Sequence, residues 1–285
     1  FPDKTCFWRR CTFCGINGKY PKPLCTTPAD GLWPTAEALT CLEELERQGI
    51  RYFWSIDEAI PVETLTALAQ GLSGRGSALI WQARSRISAK FLEPGVAQTL
   101  AQGGLRELRL GLESASLRVL SQMNKFEADF SLRLVEDIVA AFWKVGVKVH
   151  FPMIVGFPTE TADDRQKTYS FLAYLRGHYD NFSFNINVFA MDVSSSLFAN
   201  WYTSGVSGVS DWECAEEPFD EENLRIERDR FMREMLYPWM PSETLISPHI
   251  LYRLLETTRN TLLQPLPDRS PPEGTAYRLS GDVLC

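Results

Sequence analysis

Three cysteines near the amino terminus are the residues whose types and spacing point most directly to chemistry. Cys6, Cys11 and Cys14 form a C-x4-C-x2-C pattern. Thiolates are soft ligands that hold iron–sulfur clusters or zinc. Three nearby thiolates suit a cubane cluster with one iron left open, whereas zinc or a fully ligated cluster needs a fourth ligand. The nearest fourth candidate is Cys25, which lies in a proline-rich run over 21–28.

The cysteine pattern alone leaves an iron–sulfur cluster, a zinc site and plain thiols as alternatives. A disulfide would leave one of these three cysteines over and would suit an oxidising compartment. The chain has 7 cysteines in 285 residues, which is too sparse for a disulfide scaffold. A reduced, cytoplasmic setting is therefore predicted.

The composition is that of an ordinary globular protein. The chain is 45% hydrophobic with a formal net charge of −7, and it is long enough for a large core. The acidic balance argues against binding nucleic acid through a basic face. No uncharged apolar run reaches about 18 residues, so neither a membrane span nor a signal peptide is predicted. Because the chain starts at Phe1 and the cysteine pattern follows at once, we expect it to be a segment of a longer protein.

Segments of strand type and helix type alternate along the first two thirds of the chain. Strands are predicted for the few residues before Cys6 and for 50–56, 78–83, 105–110, 147–155 and 182–189. Helices are predicted at 35–48, from Pro61, at 92–102, in a region broken near Asn124, and from Thr161. Six β/α units in a row predict an α/β fold with a parallel sheet, curved into a partial (β/α)6 TIM-like barrel. A doubly wound sheet is the second choice.

The pattern changes after residue 192. Residues 194–210 are rich in serine and glycine, and residues 211–222 are acidic. Helices are predicted at 223–236 and 249–262. We therefore expect two domains, the partial barrel over 1–192 and a smaller, mostly helical C-terminal extension over 193–285.

Polar residues interrupt the apolar pattern where the predicted strands end. They are the cysteine loop, Asp57 and Glu58, Arg84 and Arg86, Glu113 and Ser114, the segment 156–160, and Asp192. A carboxylate after a strand is more often a helix cap than a ligand. In a β/α fold, however, the carboxyl ends of all strands meet at one rim, where active sites lie. Such a rim suits a charged ligand that carries an amine, hydroxyls and a carboxylate.

The cysteine loop and three later motifs resemble those of the radical S-adenosylmethionine enzymes. The resemblance covers about residues 1–190 and consists of 6–14 with its aromatic residue before the last cysteine, 55–58, 111–114 and 153–160. It implies a [4Fe-4S] cluster bound by Cys6, Cys11 and Cys14. It also implies that this cluster cleaves S-adenosylmethionine reductively and that the product radical modifies a substrate.

The resemblance implies contacts between the rim residues and the polar parts of S-adenosylmethionine. Asp57 and Glu58 would meet the methionyl amine, and Glu113 and Ser114 would meet the ribose. Lys125 would bind the methionyl carboxylate, although a surface position is the simpler interpretation of this lysine.

The adenine side of the predicted site involves residues from two motifs. Ile154 and Gly156 would lie beside the adenine. Phe13, which precedes the last cysteine, would lie on the same side, and its alternative is a plain core aromatic.

Several polar residues on the strands have competing interpretations. Arg84 and Arg86 point the same way by the period of two, and both compete for the methionyl carboxylate. Glu113 lies four residues after Arg109, so the two would share a strand face and could pair in the core. His150 lies inside a strand and is predicted to be a satisfied core or lining residue rather than a ligand.

The segments 8–14, 57–61 and 123–125 resemble the branch of the family that often carries an upstream cobalamin-binding domain. Some members of this branch modify ribosomal peptides or natural products. One departure is the gap between the first two cysteines, which is usually three residues in the family and is four here, at 7–10. A cobalamin domain would lie outside this chain.

Three functions follow from these features. The leading one is a radical enzyme that acts on an unknown small molecule or peptide and receives electrons from a reductase or a flavodoxin-type donor. The second is a cobalamin-dependent methyltransferase. The third is a noncatalytic interaction domain that binds zinc or a cluster, which would explain the cysteines but not the polar rim.

Overall fold

The sheet at the centre of the protein is parallel and follows the order of the chain. The structure is a computed structural model that describes residues 6–16, 35–55, 57–126, 130–203 and 220–236. The strands among these residues are β1 (Tyr52–Trp54), β2 (Ile80–Ser85), β3 (Leu105–Leu110), β4 (Lys148–Val155) and β5 (Phe182–Val188). Each strand pairs in parallel with the next one in sequence. A doubly wound sheet would reverse its strand order, so the sequential order confirms the partial TIM-like barrel.

Helices precede the first strand, connect each strand to the next and follow the last one. They are α1 (Thr35–Arg47), α2 (Val62–Gly74), a 3₁₀ turn (Ala89–Leu92), α3 (Val96–Gln102), α4 (Leu117–Gln122), α5 (Leu132–Lys144), α6 (Ala162–His178), α7 (Ser196–Thr203) and α8 (Glu221–Leu236). Side-chain oxygens cap several of them, and α6 begins with a complete capping box between Thr161 and Asp164, as the sequence predicts. None of the helices in the described segments is long and apolar enough to cross a bilayer.

Three predicted elements differ from the structure or fall outside the described residues. The helix predicted over 92–102 is wrong at its start, because a 3₁₀ turn ends at Leu92 and α3 begins only at Val96. Pro94 disfavours a helical residue before it, and Gly95 adopts a left-handed φ of 83°. The strand predicted before Cys6 and the helix predicted over 249–262 lie outside the described residues. Cys6 itself forms an isolated parallel bridge with Ala59, just after β1.

The apolar core lies between the sheet and its helices. Alternate residues of the strands face this core and are buried; they include Leu108, Leu110, Phe151, Met153, Phe184 and Ile186. The residues between them, on the other face of the sheet, include Arg84, Arg109, His150 and Asn185 and line a cavity. A complete TIM barrel fills its interior with bulky apolar side chains. The polar inner face therefore indicates a ligand site.

Residues that follow position 193 contact the barrel. Phe231 of α8 stacks on Tyr169 of α6 with ring centroids 4.4 Å apart, and it lies 5.9 Å from Phe184 of β5. Arg165 and Glu227 form an ion pair at 3.3 Å between α6 and α8. These contacts make α8 part of the layer that covers β5, and the division at 192/193 stays a prediction.

Candidate functional site

The cysteine loop lies at the carboxyl end of the sheet, where two helices hold it. Trp8 Nε1 donates to the Asn124 carbonyl at 3.0 Å, and the Thr12 N–H donates to the Met123 carbonyl at 2.9 Å. These two carbonyls are exposed by the turn after α4, in which Asn124 has a left-handed φ of 49°. From α7, the Leu197 N–H donates to the Thr12 carbonyl at 2.8 Å. Segments distant in sequence thus fix the loop.

The three cysteine side chains line one part of a cavity of about 410 Å³. None of the three is in a disulfide; Cys11 is buried, and Cys6 and Cys14 are partly exposed. Burial raises the pKa of the Cys11 and Cys14 thiols, so cluster binding would release protons. Within the described residues, no group of three or more His, Cys, Asp or Glu side chains is arranged to hold a metal ion. The donor set still fits a cluster, because three thiolates facing one cavity can each bind a different iron of a cubane and leave the fourth open.

Arg86 joins β2 to the cysteine loop. Its Nη1 lies 4.0 Å from the Cys11 Sγ, and its guanidinium lies 3.9 Å from the centroid of the Trp8 ring. The same guanidinium donates to the Lys125 carbonyl. Stacking on an indole and donation to a carbonyl are both typical uses of arginine. Arg86 therefore places a fixed positive charge beside a cysteine sulfur.

A buried ion pair forms another wall of the cavity. Lys125 Nζ lies 2.9 Å from Glu113 Oε1, and both side chains are only about a tenth exposed, at 10% and 11%. Burial opposes the charge on Lys125, but the Glu113 carboxylate raises the pKa of this lysine overall. A Cβ at Gly111 would lie 2.7 Å from Glu113 Oε1 and 2.8 Å from Lys125 Nζ. A side chain at position 111 would therefore displace the charged ends of this pair from their present positions.

Glu113 does not pair with Arg109, so the alternative interpretation of these two residues as a core ion pair is wrong. Arg109 Nε instead lies 2.8 Å from Glu107 Oε1 on the same strand. The reason is that Glu113 lies beyond the end of β3, in a left-handed conformation with φ 70°. Both residues still line the cavity, but Glu113 is paired with Lys125 and Arg109 with Glu107.

Glu58 and Arg84 line the cavity near the first cysteine. Arg84 Nη1 lies 3.4 Å from Glu58 Oε2, and about a third of each side chain is exposed. Ala59, the residue after Glu58, bridges to Cys6. A carboxylate that follows β1 is thus held beside the cysteine loop by main-chain pairing.

Two polar residues of the predicted site, Asp57 and Ser114, lie outside the cavity lining. Asp57 is buried and accepts a hydrogen bond from the Ser55 hydroxyl. Ser114 is also buried, and its Oγ lies 3.2 Å from Thr168 Oγ1 of α6. In the structure both side chains therefore stabilise the turns that follow their strands, while the adjacent Glu58 and Glu113 face the cavity.

The residues predicted for the adenine side form an apolar cluster next to the cavity. Phe13 lines the cavity and contacts Phe157 edge to face with ring centroids 6.5 Å apart. Ile154 packs in the same cluster and is not among the cavity-lining residues. Gly156, with φ 76°, donates its N–H to the Glu160 carboxylate. The cluster provides an apolar surface of the kind that a flat base needs.

Sequence reasoning left several cavity residues of β3 and β5 without a role. Arg109, Asn185 and Asn187 all line the cavity. His150, predicted to be a satisfied lining residue, is confirmed as one: its ring nitrogens lie 3.0 Å from Ser183 Oγ and 2.8 Å from Asn185 Oδ1. Burial lowers the pKa of His150 to about 4, so its ring is neutral at pH 7. The signal that could have identified these residues is the polar alternation at 183, 185 and 187 in an otherwise apolar strand.

Glu160 makes the stability of the fold dependent on pH. It is 8% exposed, and burial raises its pKa to about 7 although the Gly156 N–H favours the charged form. Because the folded state then holds a proton that the unfolded state has lost, stability should fall from about pH 4.5 to about pH 7 and level off above. Glu160→Gln should remove up to about 3 kcal/mol of that decline. Denaturant unfolding at pH 5 and pH 8 measures this difference in the free energy of unfolding. The exposed Glu93→Gln serves as control, and a decline in Glu160→Gln equal to that of the unsubstituted protein would exclude Glu160 as its source.

The sheet order and helix arrangement are shared with solved structures. A radical S-adenosylmethionine methyltransferase from Kitasatospora setae, TsrM, solved with cobalamin and a [4Fe-4S] cluster bound, matches with a TM-score of 0.55 and 17% identity. The match covers 69% of this chain and 38% of that one. The chain has the fold of the radical S-adenosylmethionine enzymes. TsrM solved with a tryptophan substrate and an S-adenosylmethionine analogue bound matches equally, with a TM-score of 0.55 and 17% identity over 69% of this chain and 37% of that one.

A curated relative extends this comparison to sequence. An uncharacterized methyltransferase of Pyrococcus horikoshii is 26% identical over 179 residues, which are 61% of this chain and 36% of that protein. No family profile matches the chain. The chain thus spans little more than a third of the length of these radical S-adenosylmethionine and methyltransferase relatives. The resemblance found in the motifs is confirmed at the level of the fold.

Proposed function

We propose that the chain is the core of a radical S-adenosylmethionine enzyme in which Cys6, Cys11 and Cys14 hold a [4Fe-4S] cluster. The observation that supports this proposal best is the convergence of three thiols with Glu58 and the buried Lys125–Glu113 pair on one cavity. When bound, the cluster supplies the electron for reductive cleavage of S-adenosylmethionine. The electron comes from an external donor, which we propose to be a reductase or a flavodoxin-type protein in a reducing compartment.

The protein side chains bind and orient S-adenosylmethionine. Glu58 accepts hydrogen bonds from the methionyl ammonium. Arg84, which lies 3.4 Å from Glu58 in the structure, turns to the methionyl carboxylate. Glu113 accepts a hydrogen bond from a ribose hydroxyl. Lys125 stays paired with the Glu113 carboxylate and balances its charge. Phe13 and the apolar cluster behind it cover the adenine and exclude water from that end of the cavity.

Glu58→Ala should weaken the binding of S-adenosylmethionine while the cluster remains. The variant leaves the ligand amine without an acceptor in a partly buried site, which costs about 1–3 kcal/mol, so the affinity should fall about tenfold or more. Anaerobic calorimetry on reconstituted protein measures this affinity. Glu63→Ala is the matched control, since Glu63 pairs with Lys90 at an exposed site far from the cavity lining. Equal affinities for Glu58→Ala and the control would remove Glu58 from the site.

Methyl transfer through cobalamin is the second candidate. The structural match to TsrM, solved with cobalamin bound, favours it, and the cobalamin domain would then belong to a part of the protein outside this chain. A noncatalytic zinc- or cluster-binding domain is less well supported, because it gives no role to Glu58 or to the Lys125–Glu113 pair.

A turnover experiment separates these candidates. Reduced, reconstituted protein is incubated with S-adenosylmethionine, with and without methylcobalamin, and 5′-deoxyadenosine is measured. We expect slow formation of 5′-deoxyadenosine that does not depend on cobalamin. A protein that holds its cluster and binds S-adenosylmethionine but forms no 5′-deoxyadenosine under either condition would contradict cleavage by the core alone. Stoichiometric zinc with no iron would leave the interaction domain as the better account.

A further inference from the structure

Four side chains form a row across the inner face of the sheet, deeper in the barrel than the cysteine loop. The strand register places Arg84 beside Arg109, Arg109 beside His150, and His150 beside Ser183. Arg86, which contacts Cys11, lies two residues after Arg84, just past the end of β2. Two residues of a strand span about 7 Å. The row is therefore close to the cluster loop but distinct from it.

The charges on this inner wall leave a positive excess. Three cations, Arg84, Arg109 and Lys148, are matched by two carboxylates. Glu58 lies 3.4 Å from Arg84. Glu107 is shared, at 2.8 Å from Arg109 and 4.0 Å from Lys148. Once S-adenosylmethionine takes both Glu58 and Arg84, as in the proposed function, Arg109 and Lys148 face Glu107 alone and the excess stays at one positive charge.

The groups that remain available on the row are hydrogen-bond donors. Arg109 binds Glu107 through Nε, and among the described residues no hydrogen bond involves its two terminal nitrogens. The Trp54 ring centroid lies 5.2 Å from the Arg109 guanidinium and 5.3 Å from that of Arg84, so the indole restricts both. Asn185 accepts from His150 through Oδ1, which leaves its amide N–H groups for a ligand. A ligand at this row must therefore offer acceptors.

We propose that the part of this row from Arg109 to Ser183 is the substrate site and that Arg109, with the neighbouring Asn185, binds a carboxylate of a small-molecule substrate. The proposal rests on the proposed function, in which S-adenosylmethionine occupies the part of the cavity beside the cysteine loop. The planar fork of a guanidinium matches the two oxygens of a carboxylate. A cavity of about 410 Å³ lies in the range of small-molecule sites. A carboxylate carries one negative charge, which matches the one excess positive charge of the wall. A phosphate carries closer to two negative charges and would match it less well.

The test uses small probes on the full reconstituted chain. Benzoate is titrated with ligand-observed NMR, and benzamide and phenyl phosphate are titrated as the neutral and phosphate counterparts. Benzoate should bind at least about tenfold more tightly than benzamide and more tightly than phenyl phosphate. Arg109→Gln should weaken benzoate at least about tenfold, and Arg109→Lys should weaken it less. Arg106→Gln is the control on the same strand, because Arg106 donates to the Ala101 and Leu105 carbonyls and does not line the cavity.

The outcomes separate this proposal from the proposed function. Benzoate affinity that is equal in Arg109→Gln and Arg106→Gln, or tighter binding of phenyl phosphate, would overturn the carboxylate site. The titration is repeated with saturating S-adenosylmethionine, and benzoate should still bind; displacement would show that benzoate had occupied the methionyl carboxylate position. Affinity for S-adenosylmethionine itself is measured in parallel and should change less than about threefold in Arg109→Gln. If S-adenosylmethionine does not bind the unsubstituted protein, the proposed function is contradicted, but the benzoate titration can still be interpreted.

Discussion

Cys11→Ala should abolish the iron–sulfur cluster. After anaerobic reconstitution, the unsubstituted chain should hold about four iron and four sulfide ions, and the variant should hold almost none. Cys11 is the buried member of the three thiols, and it lies 4.0 Å from the Arg86 guanidinium. The loss of this ligand removes one of three anchors at the enclosed side of the loop. Iron and sulfide assays on the two proteins provide the measurement.

Cys41→Ala is the matched control for this result. Cys41 is an exposed free thiol on α1 and does not line the cavity, so the variant should keep its full iron content. A full cluster in Cys11→Ala would show that another residue serves as ligand. Stoichiometric zinc in place of iron in the unsubstituted chain would show that the cysteine loop is a zinc site.

Lys125→Met should destabilise the fold by about 3–5 kcal/mol, because it leaves the Glu113 carboxylate buried without its partner. The two side chains lie 2.9 Å apart and are only 10% and 11% exposed. This cost is a large fraction of the free energy of unfolding of an ordinary domain. Denaturant unfolding of the cluster-free protein measures it without interference from ligands.

A double variant and a surface control show whether the loss comes from the isolated charge. Lys125→Met combined with Glu113→Leu should recover most of the stability, since a buried pair replaced by apolar groups costs little. Lys90→Met breaks an ion pair with Glu63 in which both side chains are more than half exposed. This variant should leave the free energy of unfolding unchanged. A double variant as unstable as Lys125→Met would mean that Lys125 stabilises the fold through its packing and not through Glu113.

Much of the sheet was predictable because its signals are local. β3 (Leu105–Leu110) matches its predicted bounds, since its apolar alternation ends at Gly111. The break between α4 and α5 was predicted at Asn124, which adopts a left-handed φ. The helix predicted from residue 92 was wrong because Leu92 and its neighbours satisfied the helical spacing while Pro94 and Gly95 prevented a continuous helix. Apolar spacing thus predicted the elements, and special backbone residues decided their ends.

The candidate site was predictable only in part, because side-chain pairing across strands has no signal in the sequence. The motif at 57–58 was predicted to meet S-adenosylmethionine, but the structure places Glu58 in the cavity and Asp57 against Ser55. The contact of Arg86 with Trp8 and Cys11 joins residues more than 70 positions apart in the printed sequence. Arg109 was considered only as a partner of Glu113, since nothing local reveals that Glu107 and Lys125 pair with these two side chains instead.

The measurement that tests the central claim most directly is the electron paramagnetic resonance spectrum of the reduced, reconstituted chain before and after S-adenosylmethionine is added. The account predicts a single four-iron cluster per chain whose g-values shift when the ligand binds its open iron. At a concentration of S-adenosylmethionine that just saturates the unsubstituted protein, a clearly smaller fraction of the Glu58→Ala clusters should show this shift. A spectrum that stays the same at saturating S-adenosylmethionine would mean that the cluster has no open iron in the cavity, and the assignment of this chain as a radical S-adenosylmethionine enzyme would be contradicted.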